Sequence, residues 1–215
     1  MKLHSFLYKF IIFSVIVLFF IVPPFFSPDI SISQSFINWN FPIQQLLLFL
    51  FSIFLLFILK YDFSVNIYKI IPIFLCLCLL FFTSLVFKAI SIILASKNIA
   101  SSPNIVLPES FFEWLFCLLG FFMSAFYEEV IYRFYFPDAL LSLLSIKKER
   151  KIFIFVSELC SILVFAFAHF YLGWLSVANA AVAHIILRFT YKRTKSIYPG
   201  AFAHFVYNII SLILL

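Results

Sequence analysis

Long apolar runs alternate with short polar segments along almost the whole chain. They cover residues 6–22, 43–59, 70–95, 111 to beyond 136, 152–171, 174–187 and 197–215. Most of them approach the roughly 20 apolar residues that an α-helix needs to cross a bilayer. Because a backbone in lipid must satisfy its own polar groups, each run is predicted to be a helix. The pattern therefore predicts an all-α, polytopic membrane helix bundle with about seven transmembrane helices.

No internal repeat or low-complexity linker separates these runs. Residues 1–215 are therefore predicted to form a single integral membrane domain, with one group of helices in residues 1–105 and a second in residues 106–215. Pro137 lies inside the fourth run and is predicted to kink or end that helix, since proline lacks the N–H that a helix interior uses.

The composition excludes a water-soluble globule. Hydrophobic residues make up 65% of the chain, charged residues 11%, and the mean hydropathy is +1.15. Soluble domains have roughly 45–50% apolar and 25% charged residues. With only three glycines, the chain also lacks a glycine-rich phosphate loop. The four cysteines lie within apolar runs and are interpreted as structural.

The basic residues predict an orientation. Twelve of the 15 lysines and arginines lie at alternate connections, with Arg188 and its neighbours counted in the connection before the last helix. Only Lys97 lies at a connection on the opposite side. Because cytoplasmic loops are enriched in basic residues, the N-terminus is predicted to be cytoplasmic and the C-terminus external. Charges confined to such short loops also argue against a nucleic-acid partner.

The fourth helix carries three ionisable residues, Glu128, Glu129 and Arg133. Such groups are costly in a bilayer and are functional candidates by default. Glu129 and Arg133 are four residues apart, so they share a face and can form an ion pair. Glu128 is turned about 100° away and stays available as a general base. The alternatives are an ion pair that only fixes the helix, or a carboxylate in a proton relay.

Two later helices carry further polar side chains. His169 lies near the end of the fifth helix, while His204 and Asn208 lie one turn apart on the seventh. Two donors aimed at one point suit a developing oxyanion, although an interhelical hydrogen-bond clamp is the alternative. His184 is interpreted as a packing residue. A carboxylate base, a histidine and a donor pair together indicate a water-activating hydrolase.

Helix geometry limits how His169 and His204 can meet in one site. At ~1.5 Å per residue, His169 lies about 27 Å beyond Lys151, and His204 lies about 14 Å beyond Lys195. Straight, upright helices would not bring the two histidines level. Tilted, short or broken helices are therefore predicted around the site.

The motifs themselves resemble those of a known family. Glu128-Glu129-x-x-x-Arg133, Phe165-x-x-x-His169 and His204-x-x-x-Asn208 follow one another on three apolar helices. This set is similar to that of the CPBP intramembrane protease family, which includes type II CAAX prenyl endopeptidases and bacterial relatives linked to bacteriocin processing and self-immunity. The resemblance covers roughly residues 111–215. Phe134 stands where the family usually has glycine, so the helix path after Arg133 is left open.

The resemblance implies a role for each motif residue. Glu128 would activate the attacking water, and His169 would help to hold it. His204 and Asn208 would stabilise the oxyanion, with Glu129 and Arg133 supporting them. Residues 106–215 would then be the protease core. No cofactor is strictly required, although one carboxylate and two histidines could bind a divalent metal such as zinc.

These inferences predict an intramembrane endopeptidase that acts on a membrane-associated or lipidated peptide or protein. Its partners would be that substrate and the lipid bilayer, in the inner (plasma) membrane of a bacterium. A non-catalytic bacteriocin-immunity or scaffold protein on the same fold is the first alternative. A proton-coupled small transporter is the second, although the absence of detectable inverted repeats argues against it.

Overall fold

The computed structural model describes residues 2–23, 40–63, 70–96, 107–144 and 150–214. The α-helices in these ranges are α1 (Lys2–Ile16), α2 (Ile43–Ile58), α3 (Ile70–Ser96), α4 (Phe111–Glu128), α5 (Phe136–Leu144), α6 (Arg150–Phe167), α7 (Trp174–Thr194) and α8 (Tyr198–Leu214). One π-helical turn, Val17–Ile21, extends α1; a second, Glu129–Tyr135, joins α4 to α5. The described residues thus form seven continuous helices and no strand, as the apolar pattern predicts.

The outer surface of the bundle is apolar. Ile71 and Phe74 on α3 are 78% and 70% exposed, and Phe111 at the start of α4 is 76% exposed. Ile71–Leu94 and Phe111–Leu144 are long and apolar enough to cross a membrane by length and composition. Leu7–Ile21 and Ile43–Ile58 are shorter apolar helices. Large apolar surfaces of this kind suit contact with lipid rather than with water.

A capping box fixes where α4 begins. The Ser110 hydroxyl accepts a hydrogen bond from the Glu113 backbone N–H at 3.2 Å, and the Glu113 carboxylate accepts one from the Ser110 N–H at 3.2 Å. These bonds satisfy two N–H groups that a helix start otherwise leaves without partners. The start of α4 therefore follows from the local sequence.

Pro137 does not end the fourth helix, so that part of the prediction from sequence was wrong, and the alternative of a kink stays a prediction. The π-turn precedes it, and the helix continues to Leu144. Pro137 has no N–H for the carbonyls one turn earlier. The Tyr132 carbonyl accepts a hydrogen bond from Ser161 Oγ at 2.9 Å instead, and the Arg133 carbonyl accepts one from Arg188 Nη1. Side-chain donors from α6 and α7 thus stabilise the helix path after Arg133, which the sequence could not define because Phe134 stands where the family usually has glycine.

The sixth predicted helix is longer than the apolar run indicates. It continues to Thr194 as α7, so Arg188 lies inside a helix, with 5% of its surface exposed, and is not a loop charge. The helix ends at Lys195, whose backbone is left-handed. Four lysines used to predict the orientation lie outside the described residues: Lys69, Lys97, Lys147 and Lys148.

The packing order brings the three motif elements together. Helix α8 packs against α3, α4 and α7, while α6 packs against α7 and α5. Helix α2 also packs against α4. The end of α4, the end of α6 and the first turns of α8 consequently meet in the interior.

Candidate active site

A buried network centres on Glu129. Its carboxylate Oε1 lies 3.3 Å from Arg133 Nε and 3.2 Å from His204 Nδ1. Glu129 and Arg133 are both 0% exposed, so neither charge has solvent to stabilise it and each depends on its partners. The ion pair expected from the i, i+4 spacing is present, and it extends to a histidine 75 residues further along the chain.

The Arg133 guanidinium lies over an aromatic ring. Its central carbon is 3.8 Å from the centroid of the Phe165 ring, a cation–π contact. Its Nη1 donates a long hydrogen bond of 3.4 Å to the Glu128 carbonyl. Arg133 therefore ties α6 to the junction between α4 and the π-turn.

Glu128 occupies a different environment from Glu129. Its side chain is 20% exposed, and its Oε2 lies 3.6 Å from His204 Nε2. This oxygen has no hydrogen-bond partner among the described residues. The two adjacent glutamates are thus distinct: Glu129 is enclosed by Arg133 and His204, whereas Glu128 is partly exposed and has one buried carboxylate oxygen without a hydrogen bond.

His169 lies after α6 rather than on it. The helix ends at Phe167, and His169 occupies the turn that follows. A broken helix of this kind was predicted because His169 and His204 lie at different distances along their helices from the loop lysines. Its Nδ1 is 2.9 Å from the Phe165 carbonyl. Because a carbonyl only accepts hydrogen bonds, Nδ1 carries the proton and Nε2 keeps a lone pair.

One cavity of about 450 Å³ collects these groups. Glu128, His169, His204 and Asn208 all line it. Glu129 and Arg133 do not; they lie behind His204 and Glu128. The structure therefore brings all six residues singled out from the sequence into one neighbourhood, four at the cavity surface and two supporting them.

Further polar residues line the same cavity and were missed. Ser124 lies one helical turn before Glu128, a spacing that could have revealed it. Tyr171 follows His169 by two residues, and Asn40 and Gln45 come from the N-terminal half. No local pattern connects the last two to the motifs. His184, by contrast, is fully buried with its ring 5.4 Å from Phe165 and does not line the cavity, in keeping with a packing role.

A second cluster, centred on Arg188, was also missed. Its guanidinium contacts Glu158 at 2.8 and 3.0 Å and Asp138 at 2.7 Å. Lys192 Nζ lies 2.8 Å from Glu158. Since Arg188 also donates to the Arg133 carbonyl, this cluster connects α5, α6 and α7 to the π-turn.

The chemistry of Glu128, His169 and His204 would suit zinc, as a carboxylate and two imidazoles do in catalytic zinc sites. Their spacing does not: within the described ranges, no three His, Cys, Asp or Glu side chains are grouped closely enough to hold a metal ion.

Gly200 allows Glu129 to approach α8. A Cβ added at Gly200 would lie 2.5 Å from Glu129 Oε2. We expect Gly200→Ala to lower stability by roughly 1–3 kcal/mol through overpacking, although alanine is the better helix former. The thermal unfolding midpoint in detergent measures this effect.

Gly120→Ala is the matched control for that substitution. A Cβ there would lie 3.4 Å from the Pro42 Cβ, an ordinary van der Waals contact. We expect its midpoint to equal or exceed that of the wild type. Equal changes in both variants would contradict the close approach of Glu129 to α8.

Comparison with known proteins gives one match. Residues 110–210 match the family model described as Type II CAAX prenyl endopeptidase Rce1-like. Searches of curated proteins and of solved structures gave no significant match. The matched segment runs from the N-cap of α4 into α8 and contains all six residues singled out from the sequence. It confirms the resemblance to the CPBP family and, because this family of peptidases is membrane-embedded, the predicted all-α membrane bundle.

Proposed function

We propose that this chain, whose residues 110–210 match the type II CAAX prenyl endopeptidase Rce1-like family model, is an intramembrane endopeptidase. It hydrolyses a peptide bond of a membrane-associated or lipidated substrate with a water molecule activated by glutamate. The observation that carries this proposal is the convergence of an unbonded carboxylate, two histidines and an amide on one cavity.

Glu128 acts as the general base. Its carboxylate lines the cavity, so it takes a proton from water as the water oxygen attacks the scissile carbonyl carbon. His169 Nε2 accepts a hydrogen bond from the same water and holds it in line. When the C–N bond breaks, Glu128 returns the proton to the leaving amine nitrogen.

His204 and Asn208 stabilise the oxyanion. Donors prepositioned where negative charge develops are typically the largest source of rate enhancement in acyl transfer. His204 Nδ1 lies 3.2 Å from the Glu129 carboxylate; in this mechanism the ring donates from Nδ1 to Glu129 and from Nε2 to the oxyanion. Arg133 holds Glu129 in place.

We place catalysis in residues 106–215 and assign residues 1–105 to helices that support this core, with α2 lining the cavity. From the distribution of basic residues we propose a cytoplasmic N-terminus, and we assign the protein to a bacterial inner membrane.

The proposal is tested with purified protein in detergent. The wild type is mixed with solubilised membrane proteins of the source cells, and new peptide N-termini are identified by mass spectrometry. We expect reproducible cleavage sites, and Asn208→Ala should lower kcat at them about 10²-fold by removing one oxyanion donor.

The unfolding midpoint of Asn208→Ala serves as the control for folding. Identical sets of N-termini with and without the wild-type protein would reject catalysis and favour a non-catalytic immunity or scaffold protein. Cleavage that Asn208→Ala leaves unchanged would reject the assigned oxyanion site.

A further inference from the structure

We propose, on the basis of the proposed function, that Phe165 is a positioning residue of the active site, and that its aromatic ring keeps the Arg133 guanidinium and, through it, the oxyanion site in place. Phe165 lies in the last turn of α6 and is only 2% exposed. It begins the Phe165-x-x-x-His169 motif, yet it does not line the cavity and has no part in the proposed steps. Its contacts nevertheless reach groups on all three motif elements.

The ring stabilises a buried cation that has few other partners. The central carbon of the Arg133 guanidinium lies 3.8 Å from the centroid of the Phe165 ring, and Arg133 Nη2 has no hydrogen-bond partner among the described residues. The electron-rich face of an aromatic ring attracts a cation, most strongly where water is excluded. An aliphatic side chain of similar size would fill the space without supplying this attraction. The position therefore requires an aromatic ring and not merely apolar volume.

A short series of contacts leads from the ring to the oxyanion site. Arg133 Nε lies 3.3 Å from Glu129 Oε1, and the same oxygen lies 3.2 Å from His204 Nδ1. A guanidinium that moves off the ring also moves away from this carboxylate, and the imidazole then loses the partner that directs its Nε2 at the oxyanion. Donors to a developing negative charge are effective because they are already in place. A small movement of Arg133 should therefore lower the rate of the chemical step.

Phe165 also borders both histidines of the site. Its carbonyl accepts the hydrogen bond from His169 Nδ1 at 2.9 Å, and the centroids of the two rings are 4.6 Å apart. The centroid of the His204 ring is 6.5 Å away. Both separations lie within the range of interacting aromatic pairs. Because any substitution at position 165 keeps the backbone carbonyl, such a substitution tests the ring alone.

The test changes the electron density of the ring and leaves its shape nearly unchanged. Phenylalanines with one, two or three fluorines are incorporated at position 165 by nonsense suppression, and kcat and KM are measured with a quenched peptide built on a cleavage site identified with the wild-type protein. Each fluorine withdraws electrons from the ring face. We therefore expect kcat to fall with each fluorine, to roughly tenfold below the wild type with three, the size of a desolvated cation–π contact. KM should stay within about twofold, because the loss of an interaction that acts only in the transition state lowers kcat alone.

Phe126 provides the matched control. It is also buried, its ring packs against the Phe49 ring with centroids 4.9 Å apart, and no described arginine or lysine lies over it. Three fluorines at position 126 should leave kcat unchanged. Phe165→Leu, which removes the ring outright, should lower kcat at least as far as three fluorines do, whereas Phe126→Leu should lower only the unfolding midpoint. All rates are measured well below the midpoint, where each variant is folded.

Two results would overturn the inference and leave the peptidase proposal intact. One is a kcat that three fluorines at position 165 do not change. The other is an equal loss of kcat from fluorination at positions 165 and 126, which would show a general effect on packing. A wild type that cleaves no peptide would instead reject the proposed function together with this inference.

Discussion

Glu128→Gln is expected to lower kcat by about 10³-fold or more, because general-base catalysis contributes roughly 10²–10⁴. The substitution keeps the size of the side chain and removes only its ability to take a proton. Glu128 Oε2 has no hydrogen-bond partner in the described structure, so the substitution disturbs only its 3.6 Å ion-pair contact with His204 Nε2. Single-turnover cleavage of a quenched peptide measures the rate, and the unfolding midpoint measures the fold.

Glu113→Gln provides a control on the same helix. Glu113 accepts hydrogen bonds in the capping box at the start of α4, and glutamine serves in this motif as well. The control should retain wild-type cleavage. If Glu128→Gln also turned over normally, water activation by Glu128 would be wrong, and a role for the carboxylates in proton transfer would gain support.

Local spacing was enough to predict part of the site. Glu129 and Arg133 are one turn apart in the chain, so their 3.3 Å contact follows from helix geometry. His204 and Asn208 share a face for the same reason, and both line the cavity. In each case the relevant distance is set within one helix, where the sequence directly determines geometry.

Contacts between helices could not be predicted in the same way. The 3.2 Å approach of His204 to Glu129 depends on how α8 packs against α4, and no periodicity encodes that packing. The family resemblance supplied the grouping of the three motifs that the spacing could not. Neither helical spacing nor the family resemblance indicated Gln45, and only the fold places it in the same cavity as the motif residues.

The π-turn shows why other contacts in the structure could not be predicted from the sequence. Pro137 indicates a disturbed helix, but the sequence does not reveal which donors will satisfy the carbonyls that precede it. These donors are Ser161 and Arg188, from two other helices. An arginine near the end of an apolar run looks like a loop charge, and only its burial against Glu158 shows otherwise.

Arg188→Met is therefore expected to have the largest effect on stability, about 3 kcal/mol, as when one partner of a buried ion pair is removed. It leaves the Arg133 carbonyl without its donor and Glu158 with Lys192 alone. For a chain of this length, the thermal midpoint in detergent should fall by roughly 6–12 °C.

Arg193→Met removes the same charge from the same helix at an exposed position, and we expect a change within ~0.5 kcal/mol. If the two variants unfolded at the same temperature, the Arg188 cluster would not be what stabilises the π-turn. If only Arg188→Met were destabilised, its residual cleavage at low temperature would show how far Glu128 depends on that turn. A loss of kcat larger than the unfolded fraction explains would mean that Arg188 positions the catalytic carboxylate through the Arg133 backbone.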